Sequence, residues 1–342
     1  MKKSFFALLV ILAAILFFNI DTLVLPEQIK SFFSQYEDAS PLPPGEITPS
    51  TLVLSGKTLN MGDTPDTVMD NFGESVDTFN SEYGFLWSVY HNDYKNYIQI
   101  GTDSSGRVCA AYTNSLTFSL CGISVGSSAE EVWEAFGEPI EAIKKENILF
   151  YLPTGTDGKH ETDTFLFRKM YIRIFYDCFK NNTVTAVHII DRDTEELFVR
   201  QYPLPSSENA TFMELENFYV TNALRVREGL KPLEHSLAVL PAARAHATEM
   251  AQNNYFGHAD LSGGDVLKRV TAVGVSVSVV AENLATGCQS GIMMHEALMN
   301  SEGHRKIILG DYKYLGVGVA FAEDARPYLV QNYFNPPIVT IG

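Results

Sequence analysis

Met61-Gly62-Asp63-Thr64-Pro65-Asp66-Thr67-Val68-Met69-Asp70-Asn71-Phe72-Gly73-Glu74 returns 64 residues later as Val125-Gly126-Ser127-Ser128-Ala129-Glu130-Glu131-Val132-Trp133-Glu134-Ala135-Phe136-Gly137-Glu138. Gly62 and Gly126, Val68 and Val132, Phe72 and Phe136, and Gly73 and Gly137 coincide. Each copy predicts a short capped helix. Thr64 stands as N-cap with Pro65 at the first helical position, where a missing N–H costs nothing. Ser128 and Glu131 have the spacing of a capping box. Val and Phe four apart share one helix face, and the Gly after Phe ends the helix.

Strand-like runs follow each helix. Phe85 to Tyr90, Tyr97 to Ile100 and Val108 to Tyr112 follow the first copy, with a turn at Ser104-Ser105-Gly106. Ile148 to Leu152, Met170 to Tyr176 and Val184 to Ile190 follow the second, with a turn at Asn181-Asn182. Residues 51–195 therefore read as a duplicated helix-plus-antiparallel-sheet domain. Such duplication suits a binding or spacer module better than a catalytic one. Trp87 and Trp133 sit at apolar repeat positions and read as core. Gly122-Ile123-Ser124-Val125-Gly126 satisfies a serine-hydrolase pattern, but the repeat accounts for it and no strong strand precedes it. Gly56-Lys57-Thr58 lacks the earlier glycine of a phosphate loop, where Thr51 stands.

Toward the N-terminus, Lys2 and Lys3 precede an apolar run from Phe5 to Phe18. Continued through Leu25, the segment is long enough to span a bilayer. No small-residue cleavage site follows, so residues 1–25 read as a membrane signal or anchor, with the remainder outside. A secreted protein is the outcome if the segment is cleaved. Residues 26–50 hold five of the 15 prolines and read as an extended stalk.

The chain has 342 residues and a formal net charge of −16, a poor surface for a phosphate backbone, so nucleic acid is not an expected partner. Cys109, Cys121, Cys178 and Cys288 form no C-x-x-C pair. That excludes a zinc ribbon or thioredoxin-like site and leaves one or two disulfides or buried thiols open.

Toward the C-terminus, residues 196–212 read as a linker. Helical patterns then start at Thr211 and, with Ser236 as N-cap, at about Leu237, although Pro241 blurs the second start. Met293 to Asn300 suggests a third helix, and Leu315 to Phe321 and Tyr328 to Phe334 read as strands. Three ligand-type residues close segments here: His258, Glu282 and His304. Two His and one Glu suit Zn²⁺ with an open position for water. Without metal, Glu282 and a His could act as an acid/base pair. Spacing alone does not separate these readings from surface or structural histidines. His295-Glu296 begins an H-E-x-x-H match that fails at Met299. His246 reads as a structural hydrogen-bond donor, Asn283 as a loop-holding amide, and Arg305 as the partner of an acid.

The ordered motifs of this region carry a family resemblance. They are Asn222-Ala223-Leu224-Arg225, Gly229-Leu230-Lys231-Pro232-Leu233, Ala243-Arg244-Ala245-His246, Tyr255-Phe256-Gly257-His258, Ala281-Glu282-Asn283-Leu284-Ala285, Asn300-Ser301-Glu302-Gly303-His304-Arg305, Leu315-Gly316-Val317-Gly318-Val319 and Gln331-Asn332-Tyr333-Phe334. Residues 213–342 resemble the CAP superfamily in its bacterial SCP-like form. The duplicated domain resembles the CAP-associated N-terminal domain of Firmicutes. The resemblance implies an α+β chain ending in an α-β-α sandwich. It places His258, Glu282 and His304 on three positions of a two-His, two-Glu cleft, with Ser301 where the second Glu stands. Leu298 and Ile307 replace a Trp and an Asn of the family pattern. In some members that tetrad binds Zn²⁺ or another divalent cation.

The expected function is ligand or partner binding outside the cytoplasm, in a cleft of His258, Glu282, Asn283, Ser301 and His304, by a membrane-tethered protein of the cell envelope. One alternative is a metal-dependent hydrolase of peptide or cell-wall material, with His258, Glu282 and His304 on the metal. The other is an adaptor that docks a partner through the duplicated domain. No catalytic residue is assigned.

Overall fold

The computed structural model describes residues 51–155 and 159–337. The anchor and stalk expectations lie outside these residues. Among the described residues, no helix is long and apolar enough to cross a membrane.

The first domain opens with a hairpin of β1 (Leu52–Leu54) and β2 (Lys57–Leu59), followed by α1 (Pro65–Phe72). Strands β3 (Asp77–Asn80), β4 (Leu86–Asn92), β5 (Lys95–Thr102), β6 (Val108–Thr113) and β7 (Phe118–Leu120) come next. The second copy supplies α2 (Ala129–Phe136), then β8 (Ala142–Lys145), β9 (Ile148–Tyr151), β10 (Thr162–Phe167), β11 (Met170–Asp177) and β12 (Thr183–Asp191). Both helices carry the expected caps. The Thr64 side chain accepts from Thr67 N–H, and the Ser128/Glu131 capping box is complete. Gly73 and Gly137 end their helices at φ of 77° and 87°.

The two copies do not keep separate sheets. β6 pairs antiparallel with β12, and seven strands join in the order β10-β11-β12-β6-β5-β4-β3. One face carries Ile98, Ile100, Ile172, Ile174, Val187 and Ile189, covered by Val68 of α1 and by Val132 and Phe136 of α2. The other carries Trp87, Tyr97, Tyr112, Tyr171 and Phe175, and packs on the second domain. Every residue of β6 and β11 is buried, so these strands read as continuous runs rather than alternating ones. Trp133 departs from the core expectation: it is 45% exposed, with its indole N–H bonded to Asp163 at 2.8 Å. No disulfide joins Cys109, Cys121, Cys178 or Cys288. Burial pushes Cys109 up to about 12, so it is an inert core thiol.

After α3 (Arg192–Leu197), the helix α4 (Ser207–Arg227) opens the second domain. It starts earlier than the sequence suggests because Ser206 caps Asn209 N–H. The remainder is β13 (Glu234–His235), α5 (Leu240–Asn253), α6 (Val266–Ala272), β14 (Val279–Thr286), α7 (Gly291–Met299), α8 (Glu302–Ile308), β15 (Tyr314–Phe321) and β16 (Pro327–Asn335). Ser236 does not cap α5. Its N–H instead bonds Leu315 C=O, extending β13, and the helix begins where Pro241 fits its first turn. The sheet order β13-β15-β16-β14 places β14 at an edge, beside α6, α7 and α8. α4 and α5 lie against β15. Helices and sheet give the sandwich expected.

Both domains belong to one compact unit. Trp87 and Tyr112 of the first share a core cluster with Phe212, Phe218 and Leu298 of the second.

Candidate functional site

Strand alternation decides the site. In β14, Glu282 and Asn283 point to opposite faces and pair with Asn332 and Gln331 of β16. Asn283 is fully buried. Its Nδ2 donates to Gln331 Oε1 at 3.1 Å and to the His304 carbonyl at 3.3 Å. Gln331 Nε2 in turn donates to Asn217 Oδ1 of α4 at 2.6 Å. A line of buried amides therefore joins α4, β16, β14 and the backbone of α8.

Glu282 faces the other way, toward His258. The imidazole Nδ1 lies 2.9 Å from Glu282 Oε1, with the carboxylate side chain 2% exposed and the imidazole 60% exposed. A carboxylate accepts, so Nδ1 carries a proton, and the second ring nitrogen, Nε2, is left for an outside partner. Arg269 closes the arrangement from α6. Its NH2 group donates to Glu282 Oε1 at 2.9 Å and Oε2 at 2.7 Å, while NH1 donates to the carbonyls of His258 and Gly264, each at 3.0 Å. One guanidinium thus holds both the carboxylate and the loop that carries the imidazole. Asp260 ties that loop by accepting from Ser262 and Gly264 N–H.

His304 sits in α8, half-buried. Burial, and then the nearby His258, hold it below the usual imidazole range. Ser301 is the N-cap residue of α8 but makes no side-chain cap bond. Asn332, opposite Glu282, is buried with neither side-chain atom partnered.

The structure brings Glu282 to His258 and places His304 close to His258, with Asn283 behind. Arg269 is the member that the sequence did not reveal. It lies in a short helix with no motif around it, and its role depends on a strand 13 residues away. His246 is buried and donates through Nε2 to the Gly257 carbonyl at 3.0 Å, holding the turn before His258. His295 and Glu296 are buried away from the cleft. Glu296 accepts from Tyr112 of the first domain at 2.6 Å, and burial pushes its carboxyl up to about 7.

The segment before His304 is held by the first domain. Arg305 pairs with Asp177 through two bonds of 3.0 and 2.9 Å. The Asn300 side chain bonds the backbone of Tyr176 and Cys178. Lys159 donates to the Asn300 carbonyl at 2.6 Å.

The cysteine-rich secretory protein (CAP) family profile matches residues 218–333, and the CAP-associated N-terminal profile matches residues 61–201. The chain is a CAP-domain protein. The CAP protein is 28% identical over 300 residues to the Bacillus subtilis membrane protein YlbC, covering 82% of this chain and 84% of that one. YkwD of the same organism is 37% identical over 115 residues, 33% of this chain and 44% of its own length. An extracellular SCP-domain protein of Bacillus anthracis superposes with a TM-score of 0.68 at 24% identity, over 80% of this chain and 93% of that one. A cysteine-rich secretory protein of Staphylococcus aureus gives 0.65 at 16% identity, over 84% and 96%. These superpositions speak to the fold alone.

The family resemblance raises a divalent cation at His258, Glu282 and His304. The residues do not fit one. Both Glu282 oxygens are already bonded to a guanidinium, one of them also to His258, and among the described residues no group of three or more His, Cys, Asp or Glu could hold a metal ion.

Proposed function

We propose that this CAP protein is held at the outer face of a bacterial membrane and binds a ligand in the cleft around His258. The observation that carries the reading is the exposed imidazole fixed by a buried, arginine-held carboxylate. A surface histidine without a role has no need of such support, whereas a binding group gains from being pre-oriented. Nε2, pointing away from Glu282, favours a ligand that presents a hydroxyl or an amide, groups able both to donate and to accept. Asn332, with its unmet donor and acceptor beside Glu282, supports the same reading. The apolar run before residue 26 and the membrane relative YlbC support the location.

The test is ligand-observed NMR with a library of hydroxyl- and amide-bearing fragments and the full-length chain. Fragments that bind the wild type should be lost in His258→Ala and weakened in His304→Ala, with thermal unfolding unchanged. An identical set of hits in His258→Ala removes the cleft from consideration and turns attention to the adaptor reading.

A further inference from the structure

We propose that Arg269 occupies, as a built-in cation, the place that a divalent ion would otherwise take beside Glu282, and so acts as the positioning residue of the cleft. Three observations carry it. One guanidinium nitrogen, NH2, donates to both carboxylate oxygens, at 2.9 and 2.7 Å, a charge-assisted contact that engages the whole carboxylate. The pair is withdrawn from water, with side-chain exposures of 9% for Arg269 and 2% for Glu282. The remaining NH1 group reaches the His258 and Gly264 carbonyls, so the same side chain fixes the loop from which the imidazole projects.

The chemistry of the two cations differs in a useful way. A metal ion would draw lone pairs from both imidazoles as well as from the carboxylate. A guanidinium only donates. It takes the carboxylate's charge and leaves His258 Nε2 and the His304 ring outside its bonding. The cleft is therefore complete without a resident ion, and a cation entering it meets a fixed positive charge and a carboxylate whose oxygens are engaged. Asp260, 4.0 Å from Arg269, adds a further acid on the same side of the guanidinium.

The inference concerns the cleft of the proposed function but stands on Arg269, and its test reads metal rather than ligand. The experiment is titration of the full-length chain with Zn²⁺ in competition with a chromophoric chelator. The wild type should show no Zn²⁺ binding that His258→Ala or Glu282→Gln removes. Arg269→Gln, which keeps much of the side chain and discards the charge, should gain a site at least tenfold tighter. Arg269→Lys, which keeps the charge, should gain none. The Arg269→Gln/Glu282→Gln double variant should lose the gain, which separates the cleft from adventitious surface carboxylates. A wild-type site dependent on His258 and Glu282 overturns the proposal, and that measurement stands even if Arg269→Gln does not fold. Equal Zn²⁺ affinity in Arg269→Gln and Arg269→Lys also overturns it, because a merely structural arginine would not distinguish charge from shape. Fragment binding through His258 can persist or fail independently of either result.

Discussion

Glu82 of the first domain and Glu216 of α4 are both buried, and each leaves one carboxylate oxygen without a partner. Burial raises both carboxyls, and for Glu82 the charge of Glu216 adds to it. The folded protein therefore keeps protons that the unfolded chain releases above the usual carboxylate range. The stability from these groups is complete below that range and is lost as pH rises through the raised values. Glu216→Gln keeps an acceptor for the Ile292 N–H, now bonded at 3.0 Å, and removes the charge. We expect it to raise stability by about 1 kcal/mol or more at pH 8 and to do nearly nothing at pH 4.5, read from denaturant midpoints. An equal effect at both pH values would remove titration from the explanation. His295 has the opposite sign: burial holds it down at about 3, so its contribution is lost as pH falls below the ordinary imidazole value. None of this was legible beforehand. Glu82 and Glu216 look like surface acids in the sequence, and no local pattern announces the contact that buries Glu216 against the start of α7.

Caps are the elements that the sequence announces most clearly, because each is settled within four or five residues. Thr64, Ser128, Glu131, Gly73 and Gly137 all fall as their types require. Gly137 takes φ 87° and ψ −157°, a region that a side chain rarely enters, and a Cβ there would meet nothing within 4 Å. The cost of Gly137→Ala is then backbone strain alone, about 1–3 kcal/mol. A loss below a few tenths of a kcal/mol in thermal unfolding would show that the loop relaxes instead. Strand pairing was less legible. The hairpins were visible from alternation and turns, but the joining of β6 to β12 was not, since no local signal says which strands of two similar units will be neighbours. The exposure of Trp133 has a related cause. The residue stands in the apolar run of a helix too short to bury its whole circumference, and its indole finds Asp163 at the rim. In the second domain the motifs named His258, Glu282 and His304, while Arg269 answers to no pattern and emerges only from the geometry of β14 beside α6.

At the scale of the molecule, the two domains share apolar core and polar ties. Tyr112 meets Glu296, Tyr219 bonds Asp77 at 2.8 Å, and Arg227 donates to the carbonyls of Asn114 and Thr185. Units joined in this way should unfold together. The chain offers a direct check, since both tryptophans, Trp87 and Trp133, lie in the first domain. Tryptophan fluorescence therefore follows that domain, while far-ultraviolet circular dichroism is weighted toward the longer helices of the second. Coincident midpoints are expected, and two separated transitions would show that the shared surface does not couple them. The bond from Asp177 to Arg305 spans 128 residues. A ribosome adding residues at ordinary rates needs on the order of ten seconds to travel that distance. The first domain thus has time to fold before the His304 segment exists. It can serve as a finished mould against which the last wall of the cleft is cast.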